Sequence, residues 1–375
     1  MELLQTFGSL FSAFGALNWQ MVVMWGIGGV LIYLAIAKKM EPSLLLPMGF
    51  GAILVNLPLS GAITQGGTEG PLSVLFEAGM ANELFPLLLF IGIGAMIDFG
   101  PLLEKPWLML FGAAAQLGIF LTLVLAGLFF PLPDAASIAV IGAADGPTAI
   151  FVANKLGSRY LGAIMVAAYS YMAMVPIVQP PVIRLVTTQK ERRIRMPYRQ
   201  GSVSKTTRIL FPIVVTVLAG LVAPASLALV GFLMFGNLLR ECGVLNSLSD
   251  TAQNVLANLI TIFLGITIAS QMQADKFLAP QTLMILGLGL VAFIFDTAGG
   301  VLFAKFMNLF LKKKVNPMIG ACGISAFPMS SRVVAKMALA EDKGNFLLMQ
   351  AAGVNVGGQV ASVIAGGLIL NLIAR

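Results

Sequence analysis

The chain has 375 residues, of which 58% are hydrophobic and only 10% are charged. Soluble domains carry about 25% charged residues, so this composition excludes an ordinary soluble protein and predicts an all-α polytopic membrane protein. Histidine is absent, which excludes histidine-based zinc sites and a histidine general base. Cys242 and Cys322 have no metal-binding spacing, so we expect both to be small packing residues.

The N-terminal segment has neither the basic start nor the cleavage site of a signal peptide. Apolar residues at helical spacing instead predict a short interfacial helix over residues 1–19. A first membrane repeat is expected to follow over residues 20–186. Its hydrophobic segments predict spans near 20–37, 42–58, 84–98, 106–130 and 160–186.

A basic segment separates two hydrophobic halves of the chain. Residues 187–208 hold seven Lys or Arg and one Glu, which accounts for +6 of the net charge of +7. Because the segment links membrane spans, it indicates a cytoplasmic loop over 187–206 and not a nucleic-acid site. In this topology the lysines at 38–39 and 312–314 also lie inside, and the acidic segment 60–83 lies outside.

The second half of the chain predicts another membrane repeat over residues 207–375. Four of its blocks resemble first-half blocks in the same order, as in IGAADGPTAIFVANKL (141–156) and IGACGISAFPMSSRVVAKM (319–337). With about five transmembrane helices per repeat, an odd number, the second copy must run upside down. We expect its spans near 207–222, 225–240, 253–271, 280–311 and 345–371. The predicted fold is therefore two inverted-topology repeats.

Two blocks, 137–156 and 316–337, are too rich in Gly, Pro and Ser to be simple spans. Irregular backbone is tolerated at membrane depth only where protein or a wet cavity surrounds it, so we interpret each block as a re-entrant or broken hairpin. With the second repeat inverted, one hairpin enters from each face and the tips approach each other near the midplane. This arrangement is typical of alternating-access transporters.

Asp145 is the strongest candidate for a functional residue. It precedes Gly146 and Pro147 inside an apolar stretch, and an ionisable group at membrane depth is by default a functional hypothesis. A carboxylate beside backbone carbonyls and hydroxyls suits a hard cation such as Na⁺, or a proton. The structural alternatives are an N-cap and a buried ion pair with Lys155.

The corresponding block of the second half supplies Asn316, Ser325 and Arg332. Serine is a neutral oxygen ligand for Na⁺, although serine in a membrane hairpin is often only a small packing residue. We expect Arg332 to be buried and to pair with Asp145 or to bind a substrate carboxylate through two hydrogen bonds. The alternative is that its side chain extends to the membrane interface.

The last helix of each repeat carries polar groups at matching positions. Asn355 could complete an oxygen shell at a hairpin tip, and its counterpart Tyr171 could donate or accept a proton in a chain without histidine. Tyr171 could equally be an interfacial anchor. Asp296, in the apolar motif FIFDTAGG, could be a second cation ligand or a helix cap. The chain has no phosphate-binding loop, so ATP is not an expected ligand.

These motifs resemble those of a known family. GAADGPTAIF, NPMIGACGISAFPMSSRV, GVNVGGQVAS and IGIGAMIDFGPLL are similar to the beta subunits of the biotin-dependent sodium-pumping decarboxylases of oxaloacetate, methylmalonyl-CoA, glutaconyl-CoA and malonate. The resemblance runs over nearly the whole chain. It implies a bacterial inner-membrane subunit that decarboxylates carboxybiotin and couples this reaction to Na⁺ export, with consumption of a proton.

The resemblance also implies site residues and partners. Asp145, Asn316, Ser325 and Asn355 would bind Na⁺, Gly320 would allow close packing, Tyr171 would take part in proton delivery and Arg332 would hold the carboxybiotin or the hairpin. Biotin would be presented by a gamma subunit, a biotin carrier, and would not be bound covalently by this chain. An alpha subunit with carboxyltransferase activity, a small membrane delta subunit and further copies of this chain are the other expected partners.

Three other functional classes remain open from the residues alone. One is an ion-motive subunit driven by a separate ATPase, although the lack of nucleotide motifs in this chain counts against it. A cation-coupled organic-anion transporter that works without biotin would need the same buried carboxylate and hairpins. A passive channel or a structural membrane subunit would not need the charge of Asp145, so an Asp145→Asn variant would retain its transport.

Overall fold

The computed structural model describes residues 12–65, 67–197, 201 and 203–373. These residues are helical apart from turns and an isolated bridge between Gln65 and Thr68, which confirms the predicted all-α class. Most of the interfacial helix predicted over 1–19 lies outside the described residues. Residues 12–19 contain a four-residue helix, Ser12–Gly15, and the first residue of the first membrane helix.

The helices that build the fold are, in chain order, α1 Trp19–Ala37, α2 Pro42–Val55, α3 Pro71–Met80, α4 Leu84–Met96, α5 Pro106–Ala126, α6 Leu132–Ala143, α7 Gly146–Lys155, α8 Leu161–Val186, α9 Lys205–Val222, α10 Leu227–Glu241, α11 Asn246–Gln271, α12 Pro280–Phe310, α13 Met329–Glu341 and α14 Leu348–Ile373. A 3₁₀-helix, Pro317–Gly323, precedes α13. Short helical turns connect several of these elements.

Seven of the described helices are long and apolar enough to cross a membrane, namely α1, α5, α8, α9, α11, α12 and α14. The bent pair α3 and α4 raises the number to eight if it forms one broken span. The sequence predicts ten full spans and no helix at α3. Two of the ten, near 42–58 and 225–240, correspond to α2 and α10, which have only 14 and 15 residues. Pro42 is the first residue of α2, and Pro224 begins the 3₁₀ turn that directly precedes α10.

The chain divides into two compact units that do not follow the two halves of the sequence. The smaller unit contains Met1–Phe85 and Leu259–Met284. Within it α1 crosses α2 at Gly28 and Gly49, where a Cβ atom on either glycine would lie 2.7 Å from the carbonyl oxygen of the other. Two backbones can approach this closely only where side chains are absent.

The larger unit contains Pro86–Asn258 and Ile285–Arg375, and it holds both blocks that the sequence identifies as broken hairpins. The first hairpin consists of α6 and α7. At its base, Asp134 accepts hydrogen bonds from Ser158 Oγ (2.8 Å) and Arg159 N (3.1 Å), which brings the two ends of the hairpin together. The chain reverses at its tip, where Ala144 has a left-handed backbone (φ +52°) and is followed by Asp145.

The second hairpin consists of the 3₁₀-helix Pro317–Gly323 and α13. Asn316, before it, and Asn345, after it, donate side-chain hydrogen bonds of 2.7 and 3.0 Å to the same acceptor, the carbonyl oxygen of Arg192. These shared bonds close the base of the hairpin. At its tip, Ser325 donates from its backbone N–H to the carbonyl oxygen of Ala143 (2.9 Å), so the tips of the two hairpins meet.

Helix α14 lies at the centre of the larger unit. It packs on α5 at Gly112, where a Cβ atom would lie 2.6 Å from the backbone of Gly357. It contacts the second hairpin at Gly358, against Gly323, and the first hairpin at Gly366, against Thr148. Both hairpins are therefore positioned by one glycine-rich membrane helix.

Candidate functional site

Asp145 lies at the tip of the first hairpin and is only 3% exposed. It is the N-cap of α7, because its Oδ1 accepts a hydrogen bond from Thr148 N (3.2 Å). Its Oδ2 accepts from Ser362 Oγ (2.8 Å) and Gln359 Nε2 (3.2 Å), both on α14. The N-cap alternative is thus realised in the structure. These three donors are neutral, so they orient the carboxylate without compensating its charge.

Tyr169, which the sequence analysis did not single out, lies beside this carboxylate. The phenol ring packs on the backbone of Gly146, where a Cβ atom would come 2.5 Å from the ring. The ring is 1% exposed, and its hydroxyl has no hydrogen-bond partner among the described residues. A buried hydroxyl without a partner is unfavourable, so a ligand at this position would be stabilised by it.

Tyr171 faces a different neighbour. Its hydroxyl donates a hydrogen bond to the carbonyl oxygen of Leu286, and its ring stacks on Phe293 with centroids 6.5 Å apart. Both partners belong to α12. The structure therefore brings Tyr169, and not Tyr171, into contact with the residue that follows Asp145.

Asn355 lies on α14 against the second hairpin. Its amide nitrogen donates hydrogen bonds to the carbonyl oxygens of Cys322 (3.2 Å) and Ile324 (2.8 Å). Its Oδ1 is buried and has no partner among the described residues. An amide oxygen in this state is a suitable ligand for a hard cation, because binding would satisfy an otherwise unpaired acceptor.

Ser325 and Asn316 lie at opposite ends of the second hairpin. At the tip, Ser325 Oγ donates to the carbonyl oxygen of Ala143 (3.2 Å), two residues before Asp145. At the base, Asn316 caps the 3₁₀-helix through its oxygen, which accepts from Met318 N at 3.1 Å. Its nitrogen donates to the loop carbonyls of Arg192 (2.7 Å) and Ile194 (2.9 Å). Of these two residues, only Ser325 contacts the first hairpin.

At Gly320 the second hairpin packs closely on α12. A Cβ atom at Gly320 would lie 2.0 Å from the carbonyl oxygen of Gly300. Conversely, a Cβ atom at Gly300 would lie 2.1 Å from the carbonyl oxygen of Gly320. Two glycines facing each other therefore allow backbone-to-backbone packing at this crossing.

Arg332 is exposed on α13 and forms no ion pair among the described residues. The expectation of a buried arginine that pairs with Asp145 is therefore wrong. Arg332 and Lys336 are exposed and lie one helical turn apart, so both are on the polar face of an amphipathic helix. The buried neighbours on the other face are Ser330, Ser331 and Val334. The guanidinium group is free to bind an anion.

The basic segment folds onto the end of the second hairpin through two ion pairs. Arg192 Nε lies 2.6 Å from Glu341, and Arg195 holds both carboxylate oxygens of Asp342 at 2.7 and 2.8 Å. The hydrogen bond from Arg192 lowers the pKa of Glu341, and that from Arg195 lowers the pKa of Asp342 to about 2. Both carboxylates are therefore ionised at neutral pH, and the segment is held at this place.

Comparisons with known proteins agree with this geometry. The family model described as the Na⁺-transporting oxaloacetate decarboxylase beta subunit matches residues 20–373. The chain is 46% identical to the methylmalonyl-CoA decarboxylase subunit beta of Propionigenium modestum, over 96% of this chain and 97% of the relative. It is 45% identical to the oxaloacetate decarboxylase beta chain of Klebsiella pneumoniae (94% of each) and 47% identical to the glutaconyl-CoA decarboxylase subunit beta of Acidaminococcus fermentans (96% of each).

The matches extend over both hairpins, α8 and α14, which carry the buried carboxylate and the polar groups around it. They confirm the resemblance stated from the motifs, and they separate this chain from the transporter and channel alternatives, because the relatives are decarboxylase subunits. The protein is a multi-pass membrane subunit of a multi-subunit complex, and the chain belongs to the family of beta subunits of the Na⁺-transporting, biotin-dependent decarboxylases.

Proposed function

We propose that this chain decarboxylates carboxybiotin presented by a partner subunit and uses the free energy released to export Na⁺. In this reaction the bond between the biotin nitrogen and the carboxyl carbon breaks, CO₂ leaves, and the nitrogen takes up a proton. The observation that carries the proposal is the buried carboxylate of Asp145, whose hydrogen-bond donors within the described residues are all neutral. Such a charge is compensated when a cation binds.

Na⁺, as the transported substrate, would be bound at the meeting point of the two hairpins. Asp145 would supply the charge, Asn355 its unpaired Oδ1, and Ser325 a hydroxyl at the tip contact. Asn316 belongs to the proposed set as well, but its oxygen would have to leave Met318 N first. A carboxylate with neutral oxygens is the donor set that a hard monovalent cation prefers.

The two hairpins would act as gates formed by inverted repeats. Two contacts support the internal symmetry: Gly142 approaches Ala292, and Gly323 approaches Phe111. Gly323 lies 181 residues after Gly142, and Ala292 lies 181 residues after Phe111, so each contact pairs a residue of one half with one of the other. A pair of contacts related in this way is expected when two copies of one fold interlock.

The last helix of each half also contacts the hairpin of the other half. Ser362 on α14 donates to Asp145 in the first hairpin. Gln179, at the matching position of α8, donates to the carbonyl oxygen of Ala321 in the second hairpin (2.8 Å) and accepts from Ser330 (3.0 Å). This reciprocity supports an alternating-access arrangement in which the halves move against each other.

Arg332 would bind the carboxylate of carboxybiotin, which suits an exposed guanidinium group that has no ion-pair partner in the described part of the chain. Tyr171 would take part in delivering the proton. The basic segment 187–206 would face the cytoplasm, where an alpha subunit with carboxyltransferase activity and a biotin-carrying gamma subunit could reach it. A small membrane delta subunit and further copies of this chain complete the proposed complex.

Energetically, the decarboxylation must drive Na⁺ against the membrane potential, which opposes export by about 2.3 kcal/mol per charge for each 100 mV. The deciding experiment is ²²Na⁺ uptake by inside-out vesicles that contain the whole complex, supplied with the decarboxylation substrate, with and without avidin. We expect avidin to abolish ²²Na⁺ uptake by the wild-type complex. We expect the Asp145→Asn complex to take up no ²²Na⁺ even when avidin is absent. The matched control is Asp250→Asn at an exposed carboxylate.

Uptake that continues in the presence of avidin would overturn the biotin mechanism. Wild-type uptake by Asp145→Asn would overturn the assignment of the ion site. The two arms fail independently, because avidin acts on the carrier and the substitution acts on this chain.

A further inference from the structure

An apolar groove of about 640 Å³ lies between α5 and α12 in the larger unit. Pockets for small organic ligands have volumes of about 300–1,000 Å³, so the groove is large enough for part of a lipid. Its rims are exposed at Leu117, Leu302 and Phe306, and in a bilayer they would face the hydrocarbon. The floor consists of small residues and the walls of large apolar ones: Ala113, Ala114 and Gly299, then Leu117, Phe120, Leu302, Phe303 and Phe306.

Three lysines follow one end of this groove. Phe306 lies about 6 Å along the helix axis from Phe310, the last residue of α12, because an α-helix rises about 1.5 Å per residue. The next residues but one, Lys312, Lys313 and Lys314, are all exposed. None of the three forms an ion pair within the described part of the chain. Their charge is therefore available to a ligand.

The structure holds these lysines close to the groove. Asn308 Nδ2 donates a hydrogen bond to the carbonyl oxygen of Val315 (2.8 Å), and Asn308 Oδ1 accepts one from Val315 N (2.8 Å). The two bonds fold residues 311–314 back over the last turn of α12, so the lysines cannot extend away from the helix end. A cluster of cations fixed beside a hydrocarbon groove matches a phospholipid, which joins an acyl chain to a phosphate.

Charge alone would not indicate a site here, because lysines next to membrane spans also follow from the positive-inside rule. The groove is the second observation, and it is formed by the same helix that ends at the lysines. An apolar transmembrane helix of a partner would fit the groove as well. It would leave the three lysines without a complementary charge, so the phospholipid is the better match.

The floor of the groove lies directly behind the second hairpin. Gly299 belongs to the floor, and a Cβ atom at the next residue, Gly300, would lie 2.1 Å from the carbonyl oxygen of Gly320 in the hairpin. On the side of α5, the Cβ atom of Ala115 would lie 2.6 Å from a Cβ atom at Gly323. A chain in the groove would therefore contact the two helices on which this hairpin packs.

We propose that α5 and α12 bind one anionic phospholipid, with an acyl chain in the groove and the phosphate at Lys312, Lys313 and Lys314. The inference goes beyond the proposed function and does not rest on it, because it involves neither Asp145 nor carboxybiotin. The bound lipid would stabilise the helix pair that supports the second hairpin.

The test uses Trp107, at the start of α5, as a fluorescent reporter. Its ring lies 5.5 Å from that of Phe111, which lies 5.5 Å from that of the groove residue Phe303. The full chain with Trp19→Phe and Trp25→Phe is reconstituted in phosphatidylcholine vesicles that contain increasing fractions of acyl-brominated phosphatidylglycerol or acyl-brominated phosphatidylcholine. Quenching should show an affinity about tenfold or more higher for phosphatidylglycerol, since each lysine beside an anionic lipid contributes severalfold.

The preference should disappear when the three lysines are neutralised together, as Lys312→Gln, Lys313→Gln and Lys314→Gln. The matched control removes the same charge from three other exposed lysines and should keep the preference; it carries Lys38→Gln, Lys39→Gln and Lys343→Gln. Retention of the preference without the lysines at 312–314 would overturn the inference, and so would its loss in the control.

Filling the groove should also abolish the preference, without any change of charge. Ala113→Leu adds bulk on the exposed floor, and Gly287→Leu, with no atom within 4 Å of the new Cβ atom, is the control outside the groove. If Ala113→Leu lowers the helical content, Gly299→Leu takes its place, because a Cβ atom there makes only ordinary contacts, the nearest at 3.6 Å.

Two further results would overturn the inference. A preference that survives in the filled groove would show attraction of the lipid to surface charge alone. Equal quenching of Trp107 by the two brominated lipids would show no selection of the anionic head group, as expected if the groove instead receives an apolar helix of a partner.

Discussion

Ser362 donates a hydrogen bond of 2.8 Å to Oδ2 of Asp145 from a position 217 residues further along the chain. The bond joins the most glycine-rich helix of the larger unit to the tip of the first hairpin. It fixes the orientation of the carboxylate, and it makes the ionised form more favourable than burial alone would allow.

Replacing Ser362 with alanine should weaken Na⁺ binding. A hydrogen bond to a charged group contributes about 1.5–3 kcal/mol, so protons would compete better for the carboxylate once the bond is lost. We expect the Na⁺ concentration for half-maximal transport to rise about tenfold, since 1.4 kcal/mol corresponds to a factor of ten. Ser331→Ala is the control, because the Ser331 hydroxyl donates to the carbonyl oxygen of Pro328, within its own helical turn, and not to Asp145. Equal effects of the two substitutions would contradict the role of Ser362.

Replacing Gly320 with alanine should destabilise the protein. The added methyl group would lie 2.0 Å from the carbonyl oxygen of Gly300, and backbone atoms cannot move aside as a flexible side chain can. Overpacking of this kind costs about 1–3 kcal/mol or more. Gly287→Ala, with no atom within 4 Å of the new methyl group, should be neutral or slightly stabilising. Thermal unfolding in detergent measures both, and a normal melting temperature for Gly320→Ala would contradict the packing described.

Replacing Arg332 with glutamine should reduce decarboxylation of carboxybiotin. The loss of the proposed charge-assisted pair with the substrate carboxylate would cost about 1.5–3 kcal/mol, so kcat/KM is expected to fall about tenfold or more. Lys336→Gln removes the same charge from the same helix face and should remain within about twofold of the wild type. Free biotin carrier, carboxylated in advance, is the substrate for the assay. A similar loss in both variants would indicate a general effect of charge and not a specific site.

The ion pairs of the basic segment should open only in acid. The pKa of Glu341 and of Asp342 is lowered by the paired arginines, to about 2 for Asp342. A carboxyl group with a lowered pKa contributes stability above its ordinary value near 4, and that contribution disappears as the pH falls through the lowered value. A nitroxide spin label at position 190, with both native cysteines replaced, should therefore keep constant mobility from pH 8 to about 5 and become mobile between about pH 4 and 2.

The control for this measurement is the double variant Glu341→Gln and Asp342→Asn, in which the label should be more mobile than in the wild type at neutral pH and the transition between about pH 4 and 2 should be smaller, because the hydrogen bonds from Asn316 and Asn345 remain. Release of the segment near pH 6 in the wild-type background would show that other groups hold it. The absence of histidine from the chain makes an early transition unexpected.

The sequence predicts the helices well where hydrophobic runs are long. The segments expected near 160–186 and 280–311 are Leu161–Val186 and Pro280–Phe310 in the structure. The sequence does not predict α3. Its segment contains or adjoins Glu69, Glu77 and Glu83 and therefore resembles an acidic loop, and the helix itself becomes π-helical at Phe76. Local hydropathy reports length and apolarity, but it does not report a bend within an amphipathic segment.

The site is predictable where a single residue type carries the information. Asp145 is identified because a carboxylate is rare in an apolar stretch. Tyr169 and Tyr171 are two residues apart, so they point to different sides of α8, and only the packing decides which one faces the hairpin. The exposure of Arg332 could have been found from Lys336, four residues later, since two cations at this spacing mark a polar helix face.

The hydrogen bond from Ser325 N to the carbonyl oxygen of Ala143 has a consequence for the tightness of the pump. A transporter that builds an ion gradient dissipates it through any state in which both of its gates are open at once. Because the two tips share a main-chain bond, neither can swing away while the other keeps its place without breaking that link. In the proposed mechanism a leak would therefore require this bond to break in addition to the displacement of an ion, and the main-chain contact would oppose the back-flow of sodium.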